Sequence, residues 1–278
     1  MESLENSQLR IVVDPEHGGR VTSFFAKETG TEFLWYDPAR LPVNPALDYD
    51  GNFAGGIDEL LPCDLPEHGF PDHGELWTTP LEARRDGGTL ILAGELPKCK
   101  LIYQRFMSIC DNSLICSYSL TNSSDCALDF LWKPHAALAI APGDRLQVPA
   151  RCFQAADPGD WSRAKDALPR AWQGDYEIPA MDGSSDFFYL TDISSGNMTL
   201  RRANGAFIRC DYDQKVFPCA WVFASFGRLN GSRTLIMEPC TNYPVSLDDA
   251  VKARCCARLE GGERLTTELR WTVGRSGR

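Results

Sequence analysis

Ile109-Cys110-Asp111-Asn112-Ser113-Leu114-Ile115-Cys116 reads as the end of one strand, a two-residue turn and the start of the next. Asp and Asn bond their own backbone and tolerate the left-handed conformation that a tight hairpin needs, so residues 101–110 and 113–122 are expected to pair antiparallel. Working outward, the same grammar recurs in both directions: short alternating or apolar runs bounded by Gly, Pro, Asn and Asp. On the N-terminal side they fall at residues 20–26, 31–35 and 89–95. Beyond the hairpin they fall at 127–132, 186–190, 197–202, 206–212, 220–225, 233–237, 255–259 and 264–273. The expected fold is all-β, a large antiparallel β-sandwich with few short helices, residues 1–278 forming a single domain. Residues 255–259 and 264–273 are expected to form a second hairpin across Glu260-Gly261-Gly262-Glu263, and Ser246 to cap a short helix over 246–253. The segment 38–71 is dense in Pro, Gly, Asp and Asn and reads as a long ordered loop. A second irregular stretch, 157–183, holds Trp161, Trp172 and Tyr176 and is a candidate wall over a pocket or an equally plausible packed excursion.

Composition narrows the function classes. Hydrophobic residues make up 43% of the 278 residues and charged residues 24%, enough for a sizeable core. A net charge of -10 disfavours nucleic acid and anionic membrane as partners, since both would repel the surface. No stretch approaches the ~18 apolar residues that cross a bilayer, and no basic segment leads into an apolar run near the start, so the expected location is cytoplasmic. The eleven cysteines are odd in number. Cys110, Cys116, Cys126, Cys152, Cys210, Cys219 and Cys255 lie in or beside apolar runs and are expected as buried reduced thiols. Cys63 and Cys240 each follow a proline inside a candidate site segment and could line a pocket.

Three segments carry ionisable groups beside turns or strand ends. In Trp132-Lys133-Pro134-His135, strand alternation puts Leu131, Lys133 and His135 on one face, and a lysine and an imidazole together are costly to aim into hydrocarbon. Glu238 ends the run Leu235-Ile236-Met237 and is held extended by Pro239. In Pro71-Asp72-His73-Gly74-Glu75-Leu76-Trp77, an extended backbone would put His73, Glu75 and Trp77 on one face, where a ring can stack on the C–H patch of a sugar while its hydroxyls are hydrogen-bonded. A metal reading of His68 and His73 with Asp64, Asp72 and Glu75 lacks a tight ligand spacing, and neither metal nor cofactor is expected. His17 reads as a turn residue. No nucleophile elbow, phosphate loop, dinucleotide fingerprint or zincin motif occurs.

Taken in order, Gly18-Gly19-Arg20-Val21-Thr22-Ser23-Phe24, Gly56-Ile57-Asp58-Glu59-Leu60-Leu61-Pro62, Asp72-His73-Gly74-Glu75-Leu76-Trp77, Trp132-Lys133-Pro134-His135 and Glu238-Pro239-Cys240-Thr241 resemble the aldose 1-epimerase (galactose mutarotase-like) superfamily. The resemblance implies a galactose mutarotase-like supersandwich with a sugar in an open cleft across one sheet. It implies a histidine general acid and a C-terminal glutamate general base, matched by His135 and Glu238, and a second sugar-binding histidine, matched by His73. Lys133, Trp77, Glu59 and Trp221 complete the candidate sugar-binding set. The chain departs from the family where mutarotases carry an Asn-His pair before an aromatic and Asn-Leu at the acid histidine. Their early arginine could correspond to Arg20 or to Arg105.

The function so implied is interconversion of the α and β anomers of a free hexose or related sugar. Glu238 removes the anomeric proton and His135 protonates the ring oxygen, each transfer contributing ~10²–10⁴-fold. An acidic pocket is expected to favour protonated His135 over the opposing pull of Lys133, whereas Lys133 pointing directly at His135 would favour neutral imidazole and leave a binder without catalysis. The alternatives are therefore a non-catalytic carbohydrate-binding or sugar-sensing protein, and a sugar-phosphate epimerase using Lys133 and Arg105. A glycoside-active enzyme would need Asp58, Glu59 or Glu75 within about 5–10 Å of Glu238. The expected partner is a small-molecule sugar, and the expected state a monomer or homodimer.

Overall fold

Asp111 takes a φ of 51°, and the strands Leu101–Cys110 and Ser113–Asn122 pair antiparallel from Leu101↔Asn122 to Cys110↔Ser113 in the computed structural model, which describes residues 1–156 and 169–275. This hairpin is the heart of a nine-stranded sheet ordered Asp175–Glu177, Arg145–Gln147, Asn197–Arg201, Ala206–Tyr212, Arg264–Arg275, Ser113–Asn122, Leu101–Cys110, Thr89–Leu96, Glu82–Asp86. Along Leu101–Cys110 the buried positions Leu101, Tyr103, Arg105 and Met107 alternate with more exposed ones, the period of a strand covered on one face.

The second sheet has eleven strands among the described residues. It runs Glu2–Glu5, Leu9–Asp14, Arg20–Ala26, Gly56–Leu60, Lys133–Ala139, Arg233–Cys240, Cys219–Phe226, Ser185–Thr191, Cys152–Ala155, Arg170–Ala171, with Thr31–Glu32 beside Arg20–Ala26. Its central strands are buried along nearly their whole length. One face contributes Phe24, Leu138 and Val222 to a core shared with Leu92, Tyr103, Leu200 and Leu269 of the nine-stranded sheet. Each such side chain contributes about 1.5–3 kcal/mol relative to leaving it in water. The opposite face of the same strands is free to build a site. The architecture is thus the expected antiparallel β-sandwich.

Helix is scarce among the described residues: Tyr49–Asn52, Leu247–Lys252 and three 3-10 turns. Ser246 caps the second helix by accepting from the Asp249 N–H, as its position predicts.

Several expectations require correction. The stretch 38–71 is not only loop, because Gly56–Leu60 is a central strand between Arg20–Ala26 and Lys133–Ala139. Residues 255–259 do not form a hairpin with 264–273. Ala257–Leu259 instead pairs with Leu128–Phe130 as a separate ribbon, pinned where the Asn122 side-chain amide donates to the Leu259 carbonyl, while Arg264–Arg275 pairs with Ser113–Asn122. Cys110, Cys126, Cys152 and Cys255 are exposed, whereas Cys116, Cys210 and Cys219 are buried as expected. In the stretch 157–183, Trp172 and Tyr176 pack against Phe188, and Trp161 lies outside the described residues. No helix among the described residues is long and apolar enough to cross a membrane.

Candidate functional site

The register of the central strands lines up side chains in rows across the sheet. His135 sits opposite Asp58 on one neighbouring strand. On the other side, the pair Ala136↔Met237 brings His135 alongside Glu238, which in turn sits opposite Trp221, and Trp221 opposite Tyr189. Asp58, His135, Glu238, Trp221 and Tyr189 therefore form one transverse polar and aromatic row, with neighbouring members ~5 Å apart. Two residues along, Ala137, Ile236, Phe223 and Phe187 form a parallel apolar row.

His135 is held by its Nδ1. That atom lies 2.9 Å from Asp58 Oδ1 and 3.1 Å from the Tyr49 hydroxyl, and the Tyr49 hydroxyl donates to Asp58 Oδ2 at 2.9 Å. Arg20 completes the cluster with an ion pair to Asp58 Oδ2 at 2.9 Å and a hydrogen bond to the Gly55 carbonyl. Burial pushes the Asp58 carboxyl up, but Arg20, His135 and Tyr49 outweigh it and hold the group at about 2. An ionised Asp58 can only accept. The proton in the Asp58–His135 contact therefore belongs to Nδ1, and Nε2 is left as the nitrogen that can gain or lose one.

Lys133 lies two residues before His135 on the same face. Its ammonium is 2.6 Å from Asp64 Oδ2, 2.6 Å from Glu238 Oε2 and 4.1 Å from the centre of the Trp221 ring. All three charged side chains are buried. Burial alone would lower the Lys133 pKa, but Asp64 and Glu238 raise it well beyond the ordinary lysine value. The same partnership lowers Asp64 against its own burial, with help from His73. Lys133 is thus a fixed cation shared between two carboxylates.

A cavity of about 510 Å³ opens over these rows. His135, Lys133 and Glu238 lie on one side with Asp64, His73 and Tyr49, while Phe187, Phe223, Ile236, Leu229 and Val245 give an apolar wall. The Tyr49 ring stacks face to face on His73, with centroids 3.9 Å apart and planes 4° from parallel. His73 itself is oriented by Asp72, 2.8 Å from its Nδ1. Burial lowers the His73 pKa, yet Asp64 and Asp72 prevail and raise it above the ordinary value. The turn that delivers His73 needs Gly74, whose φ is 77° and where a Cβ would lie 2.2 Å from the Leu61 carbonyl oxygen.

Solved structures share this arrangement of strands. A protein of Synechocystis sp. PCC 6803 superposes with a TM-score of 0.78 at 17% identity, covering 99% of this chain and 96% of its own. A candidate aldose 1-epimerase from Escherichia coli K12 gives 0.75 at 17% identity over 99% and 98% of the two chains. A galactose mutarotase-like protein from Lactobacillus casei ATCC 334 gives 0.72 at 15% identity over 99% and 100%. The chain has the galactose mutarotase-like fold. At these identities the likeness is one of fold. No family model and no curated protein matches the sequence.

On this galactose mutarotase-like sandwich, four of the candidate residues meet in the cavity: His135, Glu238, His73 and Lys133. Three do not line it. Glu59 points to the opposite face of its strand from Asp58, where it accepts from Arg105 at 2.8 Å and from the Trp132 indole at 2.9 Å. Trp77 packs edge-on behind Tyr49 and donates to the Asp72 carbonyl. Trp221 is fully buried beneath Lys133, its indole donating to the Asn242 carbonyl. His73, Glu75 and Trp77 share no face, because His73 and Gly74 are left-handed and Leu76–Thr78 is a 3-10 turn. Glu75 instead accepts from the Lys98 and Cys99 N–H groups. That removes it from any convergence with His73, Asp64 and Asp72 on a metal. Cys63 and Cys240 are buried behind the cavity, and burial pushes the Cys63 thiol up to about 12. Residues 67, 68 and 248 bring ligand-type atoms within 4.8 Å of one another, but Glu67 is already occupied with Ser246 and the first N–H groups of the helix after it.

Sequence reasoning missed Tyr49 and the positioning role of Asp58, and weighed Asp64 only as a metal ligand rather than as the partner of Lys133. Tyr49 opens a one-turn helix and Asp64 lies in irregular chain, so neither carries a strand signal. Phe187 and Phe223 were within reach, since both alternate with a buried aromatic along their strands.

Proposed function

We propose that this protein interconverts the anomers of a free sugar, with Glu238 as general base on the anomeric hydroxyl and His135 Nε2 as general acid on the ring oxygen. The observation that carries the reading is the side-by-side placement of His135 and Glu238 on adjacent strands over a common cavity, with the other imidazole nitrogen tied to an ionised Asp58. Asp58 holds the His135 ring by its Nδ1 so that Nε2 is the nitrogen offered to substrate, and the Lys133 ammonium fixes Glu238 through its Oε2 at 2.6 Å. Loss of the anomeric proton and protonation of the ring oxygen break the C1–O5 bond. The aldehyde then rotates and recloses with the roles reversed. His73 and Lys133 hold hydroxyls, and the row of Phe187, Phe223 and Ile236 takes the apolar face of the ring. Trp77, Trp221 and Glu59 support from behind.

Freshly dissolved α-glucose and α-galactose followed by polarimetry test this directly. Acceleration by the wild type that falls ~10²–10⁴-fold in both His135→Asn and Glu238→Gln is expected. Undiminished rates in both variants would refute the assignment. One observation favours a second reading: the Lys133 ammonium 2.6 Å from Glu238 Oε2 already occupies one oxygen of that carboxylate. Sugar binding without acceleration would mark a carbohydrate-binding or sugar-sensing protein on the same cavity. A phosphorylated sugar fits poorly, since Lys133 is already matched by two carboxylates and Arg105 faces the core between the sheets.

A further inference from the structure

The charges around the cavity do not balance. Asp48, Asp50, Asp64, Asp72 and Glu238 line it, against Lys133 and two histidines. Lys133 is shared between Asp64 and Glu238, and His73 lies against Asp72 and near Asp64. Asp48 uses its side chain to accept from the Gly51 N–H. Asp50, one residue past Tyr49, has no hydrogen bond or ion pair to its carboxylate among the described residues. It is half-buried in the company of Asp48, Asp72 and Asp64. Burial first, then those three carboxylates, raise its pKa against the single opposing pull of His73. Deeper in the same space, Glu238 is 1% exposed, and its Oε2 has no hydrogen-bonded partner beyond the ion-pair contact with Lys133. A buried carboxylate that shares its one cation with Asp64, and a half-buried one with no partner, face one cavity, which is otherwise walled by Phe187, Phe223 and Ile236.

Resting on the reading of this cavity as a sugar site, we infer that it is built for a sugar bearing an ammonium group, with Asp50 as the carboxylate that receives the cation. A neutral hexose satisfies hydroxyl acceptors but leaves the excess negative charge in place. An ammonium supplies three donors and a compensating charge at once, and a charge-assisted hydrogen bond is about twice as strong as a neutral one. A phosphate or carboxylate on the sugar would be repelled by the same wall.

The test uses methyl glycosides, which cannot ring-open, so it reads binding without depending on mutarotation. Titration calorimetry at pH 6 compares methyl glucoside with its 2-amino-2-deoxy and 6-amino-6-deoxy counterparts and with the uncharged N-acetyl form of each. At least one amino glycoside is expected to bind about tenfold tighter than methyl glucoside. The preference should vanish on N-acetylation and in Asp50→Asn, and should shrink in high salt. Equal or weaker binding of both amines would overturn the proposal, as would a tenfold preference that survives in Asp50→Asn. A protein that accelerates glucose mutarotation yet shows no amine preference would refute this inference and leave the proposed reaction standing.

Discussion

Replacing Lys133 by methionine keeps the length of the side chain and removes the one cation between two buried carboxylates. In the wild type the ammonium is 2.6 Å from both Asp64 and Glu238, and the three side chains are 3%, 8% and 1% exposed. Breaking a buried ion pair by deleting one partner costs about 3–5 kcal/mol, because the remaining charge has lost both water and its counter-ion. Here two like charges are left facing each other. The cost must depend on pH. Asp64 is held below its ordinary value chiefly by Lys133 working against burial. Without the lysine its folded-state pKa rises above the unfolded value, so the variant loses stability as pH climbs from the unfolded value through the new folded one. Equilibrium urea unfolding should therefore show the full deficit at pH 8 and a smaller one at pH 5, where the pair can take up a proton. Adding Asp64→Asn and Glu238→Gln to Lys133→Met should recover most of the loss, since no charge then remains to be compensated. A deficit below about 1 kcal/mol, or one equal at both pH values, would refute the reasoning, because a buried ion triad could produce neither.

Other expectations concern the surrounding residues. Asp58 titrates at about 2 in the folded protein against an ordinary 3.8, so the stability it contributes is complete above about pH 4 and disappears as pH falls toward 2. At neutral pH Asp58→Asn should cost at least about 2 kcal/mol, and acid titrations of variant and wild type should converge near pH 2. Glu59→Gln leaves Arg105, 1% exposed, without its counter-charge, though still donating to the Gly19 carbonyl, and should destabilise by about 3–5 kcal/mol in urea, while KM for any sugar stays unchanged because Glu59 does not line the cavity. Gly74→Ala forces a Cβ onto the Leu61 carbonyl at a φ of 77° and should lower thermal stability by more than ~1 kcal/mol, and sugar affinity with it, since His73 moves with the turn.

What the sequence made legible follows from where local pattern and final packing agree. The Asp111-Asn112 turn needs nothing beyond its neighbours, so the hairpin was readable to the residue. His135 and Glu238 could be singled out because polar groups on apolar strands are conspicuous. The strand Gly56–Leu60 was not visible, because Asp58-Glu59 in mid-strand looks like loop until the two arginines that receive them are known. Those arginines, Arg20 and Arg105, lie tens of residues away in the chain. For the same reason Tyr49 and Asp64 could not be placed, since one opens a helix of a single turn, the other lies in irregular chain, and each gains its role only from His135 and Lys133. The Gly261-Gly262 turn misled in the opposite direction. It has hairpin chemistry, but the strand before it is claimed by Leu128–Phe130.

The neighbours Asp58 and Glu59 point to opposite faces of one strand, each meeting its own arginine, one within the same sheet and one from the other. A slip of that strand by a single position would bring one arginine the other's carboxylate and present the second arginine with an aliphatic side chain, Ile57 or Leu60, leaving one arginine and one carboxylate buried without a partner. The two ion pairs therefore add to the hydrophobic pattern in fixing the register of this strand. They also constrain descent. An insertion or deletion of one residue between Gly56 and Leu60 would carry the same cost, because it moves one carboxylate off its arginine.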